Sequence, residues 1–106
     1  IIHSNMINLD FKIQDTEGND YQDPAASWVK RMVADRMSDK ESDFLTTYDI
    51  VSKINKDPSK IEFSTGEAKE LTESMEKFKQ INPHTGQPLV NDYMKAQLVR
   101  VIDQAK

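Results

Sequence analysis

Between Ile7 and Gln14 apolar and polar residues alternate without a break: Ile7, Leu9, Phe11 and Ile13 form one set, and Asn8, Asp10, Lys12 and Gln14 the other. A repeat of two sends the sets to opposite faces of an extended chain, so the segment reads as a strand with one buried and one wet face. The polar stretch QDTEGNDYQD follows, and Tyr21 opens a short returning strand. From there the apolar spacing lengthens to that of a helix. Asp23-Pro24 supplies a start, with the aspartate as cap and the proline in the first turn. Trp28, Val29, Met32, Val33 and Met37 form the stripe of this first helix, 24–37.

SDKE offers the next start, with Ser38 and Glu41 at capping-box spacing. Phe44, Leu45, Tyr48, Val51 and Ile54 then continue as an inward stripe, and Asp57-Pro58 stops the helix near Asn55. KIEF (60–63) reads as a short strand with Ile61 and Phe63 on one side. STGE brings a second capping box, Ser64 with Glu67, for a helix that turns Ala68, Leu71, Met75 and Phe78 inward. Glu73 and Lys77 make a favourable outer pair on it. INPHTGQP is a loop, and a last helix from about Leu89 to Gln104 presents Val90, Met94, Leu98, Val101 and Ile102 to the core. The pattern predicts an α+β domain: a small antiparallel sheet of two or three short strands packed against about four helices, in the order β-β-α-α-β-α-α. Trp28, Phe11, Phe44, Phe63 and Phe78 are its expected large core pieces, part of Trp28 staying exposed.

Composition narrows the function rather than the fold. A chain of 106 residues holds one small domain, which buries roughly two-thirds of its extended surface on folding. Residues 6–106 are read as that domain, and 1–5 as an upstream or vector-derived remnant, which removes His3 from consideration as a ligand. No cysteine is present, so disulfides, thiol chemistry and cysteine zinc sites are excluded, and a reducing, cytoplasmic setting is the expectation. The net charge of -4 argues against a general phosphate-binding surface, and the mean hydropathy of -0.70 speaks for well-solvated outer faces. No apolar run reaches the length of a membrane span, and the first residues lack a signal-peptide layout.

Four features carry side chains capable of chemistry. The acidic stretch fails as a calcium loop. With Asp15, Glu17 and Asn19 as the first alternating ligands, Asp20 occupies the position that needs glycine and Ala26 the position that needs glutamate. With Gly18 in the glycine position, Ile13 becomes the first ligand. A hairpin turn with Gly18 or Asn19 left-handed is the reading that survives. His84, in a loop between prolines, lacks the partners of a metal site or a base–nucleophile pair, and no nucleophile elbow surrounds Ser64, Thr65 or Ser74. Glu67, Glu70, Glu73 and Glu76 line one side of a helix but are interleaved with Lys69, Lys77 and Lys79, as on a solvated face. WVKRMVADRM is the one locally basic stretch. Its Trp28, Arg31 and Arg36 belong to residue types favoured at protein interfaces, although methionine and tryptophan at helical spacing are core residues first.

These readings leave no catalytic, cofactor-binding or metal-binding residue to name. They point to a non-enzymatic interaction or assembly protein that binds another protein or itself, with Trp28, Arg31, Arg36, Asp15 and Glu17 as candidate partner-binding residues. The alternative is a small nucleic-acid-associated regulator using the 24–37 helix, which Asp35 and Asp39 disfavour by offsetting its cations. The layout resembles small phage- and prophage-encoded proteins of unknown function. The resemblance lies in an opening strand with a polar turn (DTEGND), a short strand before a capped helix (KIEFSTGEAKEL), and a final segment of Ala-Gln-Leu type (KAQLVRVID). It implies a non-enzymatic accessory or assembly role and brings no catalytic residues with it.

Overall fold

A computed structural model describes residues 6–40 and 42–104. Its elements are β1 (Lys12–Gln14), β2 (Asp20–Pro24), α1 (Ala25–Met37), α2 (Phe44–Lys56), α3 (Thr65–Lys77) and α4 (Asp92–Gln104). The fold is α+β, with a two-stranded antiparallel sheet and four helices in the order β-β-α-α-α-α.

The alternation of 7–14 determines which side chains are buried, but only its last part is a ladder strand. Ile7, Leu9 and Ile13 are buried while Asn8, Asp10, Lys12 and Gln14 are exposed. Backbone partners change along the segment. Ile7 exchanges both hydrogen bonds with Ile61, at 2.7 and 3.0 Å, and the Leu9 amide donates to the Pro58 carbonyl. Lys12 and Gln14 pair with Pro24 and Asp20 of β2, with an irregularity between the two pairs. KIEF therefore forms no strand. It contributes a single bridge through Ile61, which is buried beside a half-buried Phe63.

The turn between the strands is built on Asp15. One of its carboxylate oxygens accepts from the amides of Glu17 and Asn19, both at 2.9 Å, and its carbonyl accepts from Gly18. Gly18, at φ 86°, is the residue that takes the left-handed conformation. The hydrogen bonds from Asn19 first, then Glu17 and Gly18, hold the Asp15 carboxyl below its ordinary range, since each favours the anion.

Asp23 does not cap α1. Pro24 occupies the N-cap position with no side-chain bond, because the first free amides are already taken: Ala25 donates to Phe11 and Ala26 to Leu9. The returning strand runs straight into the helix, and the opening segment supplies its cap. Nor does α2 begin at SDKE. Ser38 is the C-cap of α1, Glu41 lies outside the described residues, and Asp43 caps α2 by accepting from the Thr46 amide and hydroxyl. The Thr46 bonds hold the Asp43 carboxyl below its usual range. At Ser64–Glu67 both bonds of the capping box are present, as the spacing predicts.

One apolar cluster links the elements, drawing Ile7, Leu9 and Ile13, the inner faces of α1 to α4, and Ile61, Phe78 and Val90 into contact. The predicted stripes of α1, α3 and α4 enter it, with three exceptions. Met37 ends exposed and Arg36 is buried in its stead, Ala68 is buried outside the cluster, and Val101 is only half-buried. Helix α2 departs most. Thr47, Ile50 and Ile54 are buried, whereas Phe44, Leu45 and Tyr48 face outward. Their exposures of 64, 65 and 62% remove Phe44 from the core pieces expected of it.

Candidate functional site

Trp28 and Arg31, one turn apart on α1, are brought together. The Arg31 guanidinium carbon sits 4.9 Å from the centre of the Trp28 ring, a cation–π distance, and Tyr21 of β2 meets the ring edge-on at 5.8 Å and 70°. This sandwich leaves the indole buried, with its Nε1 donor lacking a partner among the described residues. Of the pair, Arg31 is the exposed member. The expected accessible part of Trp28 is thus covered by its own neighbours.

Arg36 is directed elsewhere. It is 4% exposed, and its guanidinium donates to three carboxylates: Asp39 at 2.6 Å, Glu70 at 3.1 Å and Glu73 at 3.2 Å. Burial alone disfavours the cation, but the hydrogen bond and charge of Glu70, with Asp39 and Glu73, raise its pKa above the ordinary value. The residue ties the end of α1 to α3 and offers no surface to a partner or to a phosphate backbone. Among the described residues the basic stretch of α1 therefore presents Arg31 and the half-buried Lys30, whose ammonium donates to Asn55.

The glutamate row of α3 is not the solvated face its pattern suggests. Glu70 and Glu73 turn to Arg36, so Glu73 serves that cation rather than Lys77. Glu67 is buried, accepting from the Ser64 amide at 2.8 Å and from Lys53 at 2.6 Å. Burial pushes its carboxyl up, but the Lys53 and Ser64 bonds outweigh this and leave it below its usual value. Lys53 also donates to the Glu62 carbonyl, so this pair ties α2 to the turn before α3. Glu76 alone of the four stays exposed.

Asp15 and Glu17 stand on the hairpin turn, Glu17 exposed and Asp15 engaged in holding the turn. His84 is exposed, and its amide donates to the Asn82 side chain within a loop closed by Ile81 and Pro88. No group of three or more histidine, aspartate or glutamate side chains converges as a metal site among the described residues, and no described helix is long and apolar enough to cross a membrane. The outer side of α4 borders a shallow groove of about 760 Å³ lined by Tyr93, Ala96, Gln97, Val99, Arg100 and Asp103. Gln97 is occupied there. Its amide donates to the Gln14 carbonyl and accepts from the Gln14 amide, completing the free edge of β1 as a neighbouring strand would.

The surface feature missed by the sequence reading is the outer face of α2. Phe44, Leu45 and Tyr48 fall within about a quarter to a third of a turn of one another, along little more than one turn of helix. FLTTYDIVSKI carries two stripes at helical spacing, and the bulkier one was expected inside. Two clues favoured the other phase. Asp43 places Phe44 and Leu45 in the first turn, where the helix has just left the preceding chain, and Ile50 with Ile54 matches the burial spacing that Thr47 completes. With ~150–250 Å² for each of the two aromatic side chains and somewhat less for Leu45, the three exposures leave on the order of 400 Å² in one patch. That is the size of the largest apolar patch on an ordinary monomer, which is often functional.

No family model matches the chain, and no curated protein or solved structure matches it either.

Proposed function

We propose that this protein is a non-enzymatic interaction module that docks on another protein through the outer face of α2. The observation carrying the reading is the exposure of Phe44, Leu45 and Tyr48, at 64, 65 and 62%, on a helix whose opposite face is packed into the core. Surfaces rich in aromatic side chains with a polar rim are favoured in protein interfaces. Trp28 and Arg36, two of the side chains expected to meet a partner, are buried, and of the 24–37 arginines only Arg31 is exposed, which speaks against the nucleic-acid alternative. The resemblance of its motif order to that of small phage- and prophage-encoded proteins would fit an accessory or assembly setting, which the genes beside this one would test.

The test of the function compares capture by the wild-type protein with capture by Leu45→Glu and Tyr48→Glu variants from a lysate of the source organism. A specific partner retained by the wild type and lost from both variants, with folding unchanged, is the expected result. Equal capture by all three, or salt-sensitive retention of DNA or RNA by all three, would refute it.

A further inference from the structure

Charge around the α2 patch selects among occupants. Asp43 lies at its start and Asp49 beside Leu45 and Tyr48, both exposed. In the preceding connection Asp39 is paired with Arg36 and Lys40 is exposed, so the exposed carboxylates bordering the patch are Asp43 and Asp49. Lys53, the next cation, is tied to Glu67, and Lys56 lies about 12 Å along the helix from Tyr48. The apolar patch therefore has an acidic rim.

A second copy of the chain suits this surface badly. A two-fold contact sets equal patches against each other, bringing Asp43 and Asp49 of both copies together, on chains that each carry a net charge of -4. The area points the same way. About 400 Å² of apolar surface fits the core of a standard interface of ~800 Å² per partner, and falls short of the larger, more apolar faces of obligate dimers. Phe44 and Tyr48, four residues apart, form a convex ridge of the kind that packs into the groove of another helix.

Resting on the interaction reading above, we infer that the occupant is an amphipathic basic helix of a partner protein, its apolar stripe covering Phe44, Leu45 and Tyr48 and its lysines or arginines meeting Asp43 and Asp49. The probe is a helical peptide of leucine and lysine in amphipathic order, set against its leucine–glutamate counterpart and a scrambled leucine–lysine peptide of equal charge. Amide chemical shifts of the protein are followed during titration. The expected result is shifts centred on residues 43–52, affinity for the ordered basic peptide at least tenfold above both others, and a tenfold or greater loss in Leu45→Ser and Tyr48→Ser. Both changes replace exposed side chains, so thermal unfolding should stay within a few degrees of wild type.

Binding of the acidic peptide at 43–52 as tightly as the basic one overturns the choice of partner while leaving the patch an interaction site. Equal binding of the scrambled peptide does the same. A dimer in sedimentation that Leu45→Ser dissociates, or uptake by anionic lipid vesicles that it abolishes, replaces the basic helix with that other occupant. Shifts confined to regions outside 43–52 with every peptide, together with partner capture unaltered in the two variants, remove the interaction reading as well.

Discussion

Replacing Arg36 with methionine keeps the aliphatic stem and its packing but removes the charge that three carboxylates surround. Glu70 has the most to lose, since its side chain is 12% exposed, against 33% for Glu73 and 41% for Asp39. A charge-assisted hydrogen bond to a buried partner is worth about 1.5–3 kcal/mol, and the two more solvated pairs add roughly 0.2–1 kcal/mol each. The sum is about 3 kcal/mol, at the lower end of what breaking a buried pair costs, because water can still reach Glu73 and Asp39. For a domain of this size that is a fall in Tm on the order of 15 °C, or roughly 2 M in the urea midpoint.

The assay is urea unfolding followed by circular dichroism at pH 7, on R36M, E70L and the R36M/E70L pair. Much of the single-variant cost is the stranded charge, not the worth of the pair, so the double variant should be clearly more stable than the sum of the two singles. A loss below about 1 kcal/mol in R36M, or strict additivity in the double variant, would refute the reasoning. Either result would mean that Arg36 is solvated enough in solution for its partners to find water instead.

Three further outcomes follow from particular contacts. Glu67 is held as an anion below its ordinary pKa, so its contribution is fully present above its unfolded pKa near 4.5 and is lost as pH falls through the lower folded value; Glu67→Gln should reduce the melting temperature at pH 7, with the gap to wild type closing below pH 4.5. Gly18→Ala meets nothing within 4 Å, so the cost is backbone strain alone at φ 86°, about 1–2 kcal/mol in urea unfolding, with Gly18→Asn recovering part of it. Gln97→Ala frees the edge of β1, and hydrogen exchange of the Gln14 amide should speed up severalfold while global stability falls by roughly 1–2 kcal/mol.

Much of this protein was legible in its residue order, because local periodicity and turn chemistry need no knowledge of the rest of the chain. The strand faces of 7–14, the Gly18 turn, the stop at Asp57-Pro58, the Ser64–Glu67 box and the inward stripe of α3 are all set by neighbours within a few positions. The features that failed depend on distant partners. Asp23 has the chemistry of a cap, but the Phe11 and Leu9 carbonyls reach the same amides first. KIEF has the pattern of a strand, but only Ile61 finds a partner, in Ile7. The glutamates of α3 have the spacing of a solvated face, but Arg36 arrives from another helix.

The candidate site belongs to the second group. Which of two helical stripes α2 buries is decided by how it packs on α1 and α3, and that packing favours the smaller set of Thr47, Ile50 and Ile54. The residue order by itself determined which four segments become helices and where the Gly18 turn and the Asp57-Pro58 stop fall, since those depend on spacing and backbone freedom. Only the tertiary structure decided that Trp28 and Arg36 are interior and that Phe44, Leu45 and Tyr48 are surface. Burial is a property of what packs opposite a side chain, and that surface is assembled from residues far away in the chain.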